Sequence, residues 1–221
     1  MDYLPTLEIE APKGKDVNAA VIWLHGLGAD GNDFAPIVAQ LDLADDYGIR
    51  FVFPHAPSIP VTINNGYVMP AWYDIKMMDI DRHIDAEQLL ASARKALDLV
   101  EREIARGIDP ARIVLAGFSQ GGAVVYEAAL SYDKKLAGLM ALSTYLPTAD
   151  TLEFNASQQE LDVLVCHGAL DPVVPESLGQ KAVDDLKGFG LQPDYRSYRM
   201  EHAVCLEEIT DIAAFLRKVL G

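Results

Sequence analysis

Short apolar runs alternate with amphipathic stretches along most of the chain. The apolar runs cover residues 19–24, 49–53, 113–116, 139–142 and 161–165. Strands that are buried on both faces of a sheet have this nearly continuous apolar pattern. Hydrophobic residues also recur at helical spacing, which predicts helices over residues 86–106, 121–132, 175–186 and 204–220.

This alternation predicts βαβ units, and therefore an α/β fold with a mostly parallel central sheet and helices on both faces. No repeat, low-complexity tract or linker divides the chain, so we expect residues 1–221 to form a single domain without a large cap. Ligands bind such sheets outside the carboxyl ends of the strands. Those ends are where catalytic side chains are expected.

One long stretch, residues 58–84, does not follow the alternation. It is rich in turn residues but also contains Tyr67, Met69, Trp72 and Tyr73. Loops of this length inside a compact domain are usually functional. Two interpretations stay open: a surface loop held in place by its aromatic side chains, or one wall of a substrate site.

Composition and charge narrow the classes of function. Of the 221 residues, 50% are hydrophobic, which excludes a disordered chain. With 18 basic and 33 acidic residues the net charge is −15, which argues against binding to nucleic acid or to anionic membranes. The apolar runs are too short for stable membrane insertion and the N-terminus lacks a basic, apolar leader, so we expect a cytoplasmic protein.

The two cysteines give little sign of special chemistry. Cys166 and Cys205 have neither CxxC spacing nor the spacing of metal ligands. We expect reduced thiols, with a disulfide between them as the alternative.

A candidate nucleophile follows the third apolar run. Residues 117–121 read Gly-Phe-Ser-Gln-Gly, a G-x-S-x-G motif between a predicted strand and a predicted helix, as a nucleophile elbow requires. The turn would hold Ser119 in a strained conformation, and side chains at Gly117 or Gly121 would collide across it. The start of the helix would supply N–H groups near a developing oxyanion. A plain glycine-rich turn is the alternative.

A nucleophilic serine needs a base and an acid, which in this elbow architecture follow it in the order acid, then histidine. Of the five histidines, only His202 leaves room after Ser119 for a strand that carries an acid. Asp171 follows the end of a predicted strand, whereas Asp162 lies inside that strand and Asp184 lies on a helix. We therefore expect Asp171 as the acid and His202 as the base. The alternatives are an ordinary Asp-Pro turn and a surface histidine.

A second glycine-rich loop allows two interpretations. Residues 26–31 read GLGADG, which fits the G-x-G-x-x-G fingerprint of dinucleotide sites. Against that interpretation, Asp30 would face a pyrophosphate, and the next predicted strand ends in residues 54–56 without the expected acid. The loop also matches the position of the glycine-rich oxyanion loop of lipases. On that interpretation the backbone N–H groups of Leu27 and Gln120 form an oxyanion hole.

Together these segments resemble the small carboxylesterases related to acyl-protein thioesterases and lysophospholipases. The matching segments are HGLGADGNDF at 25–34, FPHAP at 53–57, AWYD at 71–74, GFSQGG at 117–122, HGALDPVV at 167–174 and HAVC at 202–205. The resemblance implies an α/β-hydrolase fold, Ser119, Asp171 and His202 as the triad, and the amides of Leu27 and Gln120 as the oxyanion hole. It also implies small-molecule or lipid-derived ester substrates, no metal or organic cofactor, and a homodimer as a candidate assembly.

We therefore predict a serine carboxylesterase for short to medium acyl chains, with an open groove walled by Met69, Trp72 and Val173. An acyl-protein thioesterase or lysophospholipase is the alternative, and a non-enzymatic binding module is the third candidate. Many relatives carry a basic residue just before the Trp-Tyr-Asp element, where this chain has residues 69–71, Met-Pro-Ala. Any contact of that basic residue with a substrate anion is therefore not expected here.

Overall fold

A computed structural model describes residues 3–43, 47–77 and 83–221. The strands are β1 (Thr6–Ile9), β2 (Ala19–Leu24), β3 (Ile49–Pro54), β4 (Ser58–Val61), β5 (Tyr67–Pro70), β6 (Ile113–Phe118), β7 (Gly138–Leu142), β8 (Asp162–Gly168) and β9 (Asp194–Tyr198). The helices are α1 (Ala86–Ala105), α2 (Gln120–Ser131), α3 (Glu176–Gly188) and α4 (Leu206–Leu220).

Seven of these strands form the central sheet, in the order β1-β3-β2-β6-β7-β8-β9. Strand β1 runs antiparallel to β3, and every other neighbouring pair in the sheet is parallel. Strands β4 and β5 form a separate antiparallel hairpin. The prediction of a mostly parallel sheet is confirmed.

The sheet separates two hydrophobic cores. On β2, Ala20, Ile22 and Leu24 face the core that contains residues of α1, α2 and α3. The alternate residues of β2, which include Val21 and Trp23, face the core that contains residues of α4. Because both faces are covered, β2 has no solvent-facing positions, which explains its continuous apolar sequence.

The predicted strands and helices are present, with ends that differ by a few residues, but some elements were not predicted. The edge strands β1 and β9 carry polar residues that weaken the apolar signal. The segment after the glycine-rich loop at 26–31 forms a short 3₁₀ helix, Ala35–Gln40. Within the stretch 58–84 the structure places the β4–β5 hairpin, and residues 78–82 of that stretch lie outside the described residues.

Helix α4 follows the loop that carries His202, and its first turn contains a buried acid. The Glu208 side chain is fully buried, and in the described part of the chain no side chain donates a hydrogen bond to it. Burial raises the pKa of Glu208 to about 8, and the charge of Asp211 acts in the same direction. A contact with the backbone of Cys205 lowers this pKa, but by less than burial raises it. The carboxyl group is therefore protonated in the folded protein at neutral pH.

This burial predicts a pH-dependent stability. In the unfolded chain a glutamate loses its proton near pH 4.3, whereas folded Glu208 keeps it until about pH 8. The folded state thus binds the extra proton, so the free energy of unfolding falls as the pH rises between these values, by up to about 1.4 kcal/mol per pH unit. Glu208→Gln lacks this proton and should gain stability relative to the wild type from pH 5 to pH 8, measured by urea unfolding. Glu207→Gln, at the exposed neighbouring position, is the control. Parallel stability curves for the wild type and Glu208→Gln would contradict the prediction.

Candidate active site

Ser119 lies in a strained turn between β6 and α2. Its backbone has φ 54° and ψ −119°, a conformation that residues with a Cβ rarely adopt. Two hydrogen bonds hold the turn: the Ser119 N–H donates to the Leu142 carbonyl at 2.9 Å, and Thr144 Oγ1 donates to the Ser119 carbonyl at 2.6 Å. Residues at the end of β7 and just after it therefore hydrogen-bond both the backbone N–H and the backbone carbonyl of Ser119.

Close backbone packing explains the glycines of the turn. A methyl group on Gly117 would overlap the backbone of Gly121. A methyl group on Gly121 would lie 2.5 Å from the carbonyl oxygen of His25. These contacts confirm that side chains at Gly117 and Gly121 would collide, and they bring the start of α2 against the end of β2.

The three residues predicted as a triad are brought together by loops at the carboxyl ends of β6, β8 and β9. His202 Nε2 lies 2.9 Å from Ser119 Oγ, and His202 Nδ1 lies 2.6 Å from Asp171 Oδ2. The other oxygen of Asp171, Oδ1, accepts hydrogen bonds from the N–H groups of Val173 and Val174, both at 2.8 Å. The carboxylate is fully buried, while the His202 side chain is 17% exposed. The arrangement can relay a proton from the serine to the imidazole.

The competing aspartates have other partners. Asp162 is the first residue of β8, at the end of the strand opposite to Asp171, and it pairs with Lys218 at 2.6 Å. Asp184 lies on α3 and pairs with Lys187 at 3.3 Å. Neither carboxylate contacts His202 in the described structure.

A second histidine supports the Asp171 loop, and sequence reasoning gave it no role. His167 is fully buried, and its Nε2–H donates to the Val174 carbonyl at 2.8 Å. Burial lowers the pKa of His167, so the imidazole is neutral. Because the Val174 N–H in turn donates to Asp171, the ring fixes the loop that orients the carboxylate. The signal in the sequence is the position of this histidine at the end of β8.

Two backbone N–H groups belong to residues that line the cavity at Ser119. Gln120 is the first residue of α2, so its N–H has no carbonyl partner inside the helix. The Leu27 N–H has no partner among the described residues. Both residues line the same cavity as Ser119. The neighbouring Gly28 N–H donates to the Pro70 carbonyl at 2.8 Å, which ties this loop to β5.

The side chain of Gln120 hydrogen-bonds the backbone of residues 72–73. Its Oε1 accepts from the Trp72 N–H at 2.8 Å, and its Nε2 donates to the Tyr73 carbonyl at 2.6 Å. The Trp72 indole donates to the carbonyl of His25 at 2.8 Å, and His25 Nε2 accepts from the Ala56 N–H at 3.1 Å. Burial lowers the pKa of His25, which keeps this ring neutral as well. These hydrogen bonds join four segments behind the site: the start of α2, residues 72–73, the end of β2 and the segment at Ala56.

These contacts correct part of the predicted substrate wall. Trp72 is only 2% exposed, and it lies in the core behind the site because its ring packs against His25 and its indole N–H is bonded there. Met69 does not line the cavity, and its sulfur accepts from Asn64 Nδ2 at 3.3 Å. Val173 does line the cavity. The stretch 58–84 still contributes to the wall, but through Ile63 and Ile75.

The cavity at Ser119 has a volume of about 250 Å³. It is lined by Gly26, Leu27, Ala29, Asp33, Ile63, Ile75, Phe118, Ser119, Gln120, Tyr145, Val173 and His202. A second cavity, of about 310 Å³, lies at the β1–β3 edge among apolar side chains such as Ile9 and Phe51. No serine, cysteine or histidine is among the described residues that line the second cavity, so the candidate site is identified by its side chains and not by its volume.

Three further features of the described residues concern the cysteines, metal ligands and membrane-spanning helices. Cys166 and Cys205 are free thiols, as expected. The described residues contain no cluster of three or more His, Cys, Asp or Glu side chains arranged to hold a metal ion. Of the helices in the described ranges, none combines the length and apolar character that crossing a bilayer requires.

Comparisons of the sequence and of the structure with known proteins indicate the same family. A family model described as phospholipase/carboxylesterase matches residues 4–220. Acyl-protein thioesterase 1 of Gibberella zeae is 37% identical over 220 residues, which cover 95% of this chain and 94% of that protein. The protein of the same name from Neurospora crassa is 39% identical over 213 residues, which cover 91% and 87%. The crystal structure of Zea mays acyl-protein thioesterase 2 matches with a TM-score of 0.86 and 30% identity, covering 99% of this chain and 100% of that one.

These matches confirm the α/β-hydrolase fold and set aside the interpretation of the chain as a non-enzymatic binding module. The chain belongs to the phospholipase/carboxylesterase family of α/β-hydrolases, and it is a serine hydrolase.

Proposed function

We propose that this protein is a carboxylesterase that cleaves esters of short to medium acyl chains, with Ser119, His202 and Asp171 as its catalytic triad. The observation that carries the proposal is the continuous hydrogen-bond chain from Ser119 Oγ through His202 to Asp171. The same order of groups, on a strained serine next to a helix N-terminus, is the arrangement that acyl transfer requires.

The proposed reaction has two halves. Ser119 Oγ attacks the acyl carbonyl carbon while His202 Nε2 accepts the serine proton. When the intermediate collapses, the bond to the alcohol oxygen breaks, His202 returns the proton to that oxygen, and an acyl-enzyme remains. Water then attacks the acyl-enzyme with His202 again as the base, which releases the acid and restores Ser119. Asp171 holds the imidazole in the required tautomer and stabilises its charged form.

The N–H groups of Leu27 and Gln120 are proposed to stabilise the oxyanion of each tetrahedral intermediate. Support comes from their unpartnered donors on the wall of the Ser119 cavity and from the fixed loops that carry them. The cavity volume of about 250 Å³ lies below the range of about 300–1,000 Å³ that is usual for small-molecule pockets, which is in keeping with a short or medium acyl group.

An acyl-protein thioesterase is the second candidate, since the relatives from Gibberella zeae, Neurospora crassa and Zea mays carry that name. The same residues would perform this reaction, with a thiolate as the leaving group. Rates on an octanoyl ester and on an S-octanoyl peptide, measured side by side, separate the two candidates.

We also propose one domain over residues 1–221, because both cores share one sheet. A cytoplasmic location and a homodimer stay predictions.

Replacement of the nucleophile tests the proposal directly. Ser119→Ala should fold but lose on the order of 10⁶ in kcat, as a triad enzyme does without its nucleophile. The readout is hydrolysis of p-nitrophenyl butyrate. Ser143→Ala is a matched control, because Ser143 follows the neighbouring strand β7 and also has a positive φ, 46°. Activity above a few per cent in Ser119→Ala would show that another group is the nucleophile.

The acid is tested by comparison among aspartates. Asp171→Asn should lower kcat by roughly 10⁴, because an amide at this position favours the wrong tautomer of the histidine. Asp162→Asn and Asp184→Asn remove the same charge from groups that pair with lysines, and they should stay within a few-fold of the wild type. A large loss at Asp162 or Asp184 would contradict the assignment.

The base is tested by the pH dependence of kcat/KM. A protonated imidazole cannot accept the serine proton, so kcat/KM should fall on the acid side with a single titration. Burial lowers the pKa of His25 and His167, which therefore stay neutral at pH values where an ordinary imidazole is charged. His202→Gln should remove the acid limb and most of the rate, while exposed His83→Gln should leave both unchanged. A flat profile in the wild type from pH 5 to pH 8 would exclude an imidazole base.

A further inference from the structure

The lining of the Ser119 cavity contains one carboxylate outside the triad. Asp33 lines the cavity, and no lysine or arginine is among the residues that do so. Within the described residues its exposed side chain has no ion pair or side-chain hydrogen bond, although its backbone N–H donates to the Asp30 carbonyl at 3.1 Å. The charge of Asp33 is therefore available to a substrate that enters the cavity.

The position of Asp33 indicates which part of a substrate it would face. The next residue, Phe34, packs its ring on Phe118 with centroids 5.3 Å apart, and Phe118 packs on His202 at 4.7 Å. These ring contacts link the loop of Asp33 to His202, and Asp33, Phe118 and His202 all line the same cavity. In the reaction proposed above, His202 gives its proton to the leaving group, so the alcohol portion of an ester must lie beside His202, on the His202 flank of the cavity.

The cavity wall next to His202 is aromatic. Phe118 lines the cavity between His202 and Phe34. A carboxylate and an aromatic ring are the two side-chain types that attract an ammonium group, the first by charge and the second through the electrons of its face. The net charge of −15 adds a longer-range attraction for cations.

From this arrangement we infer that Asp33 is a specificity residue, and that it favours esters whose alcohol carries an ammonium group. The inference rests on the proposed function, because it needs an ester whose alcohol leaves on the His202 flank. It adds a substrate class to that function: esters of cationic alcohols, in preference to neutral or anionic ones of the same shape.

Two esters of one acid test the inference. Butyrylcholine and 3,3-dimethylbutyl butyrate have the same shape, but only the first carries a positive charge. The ratio of their kcat/KM values should favour the choline ester about three- to tenfold in the wild type at low salt, the range expected for an exposed ion pair with an aromatic contact. Asp33→Asn should lower the ratio most of the way towards one, leaving the smaller contributions of Phe118 and of the net charge. Added salt should lower the wild-type ratio.

Asp30→Asn is the matched control. Asp30 is an exposed carboxylate on the same loop, it does not line the cavity, and its Oδ1 accepts from the Asn32 N–H at 2.7 Å. An asparagine at Asp30 keeps an acceptor for that bond while it removes the charge. Asp30→Asn should therefore keep most of the preference, and an equal loss in both variants would assign the preference to net charge and overturn the role of Asp33.

The outcomes distinguish this inference from the proposed function. If both esters are hydrolysed and the ratio is the same in the wild type and in Asp33→Asn, the role of Asp33 is wrong while the esterase proposal stands. If neither ester is hydrolysed by the wild type, the esterase proposal fails and the inference fails with it. The neutral ester also reports any general damage to each variant.

Discussion

The close contact between the serine turn and the end of β2 is the constraint on which the site depends. The missing side chain at Gly121 lets the backbone of α2 approach the carbonyl of His25, and this approach sets the positive φ of Ser119 next to the loop that carries Leu27. Strain in the turn is compensated by the packing and hydrogen bonds around it. This one contact therefore positions the proposed nucleophile, Ser119, relative to the proposed oxyanion donors.

Buried neutral polar groups extend this constraint to the rest of the site. The Gln120 side chain joins the serine turn to residues 72–73, and the His25 ring joins the end of β2 to Ala56. The His167 ring holds the loop of Asp171 through Val174. A buried charge at any of these places would cost more than a neutral group that completes its hydrogen bonds. The low pKa values of both imidazoles follow from the same burial. In the proposed mechanism, the charged groups of the triad are Asp171 and, during the reaction, His202.

The sequence predicted the parts of the fold and site that depend on local patterns. Buried strands and the G-x-S-x-G turn have local signals, and the ends of parallel strands bring Ser119 and Asp171 to one edge. The role of Trp72 was not predictable, because its direction depends on contacts with His25 and Gln120, which lie 47 and 48 residues away. The β4–β5 hairpin did have a local signal, the Asn-Gly pair at 65–66, where both residues have positive φ.

The two flanks of the cavity differ in chemistry, and this difference links the fold to the choice of substrate. Ile63 and Ile75, from the stretch after β4, give an apolar wall suited to an acyl chain. Phe118 packs on His202 and lines the cavity together with Asp33, where the alcohol would leave in the proposed reaction. The strand order fixes the catalytic groups, whereas both flanks are completed by loops, which can vary without disturbing the sheet. Differences in substrate among proteins with this fold are therefore expected to lie in these two loops.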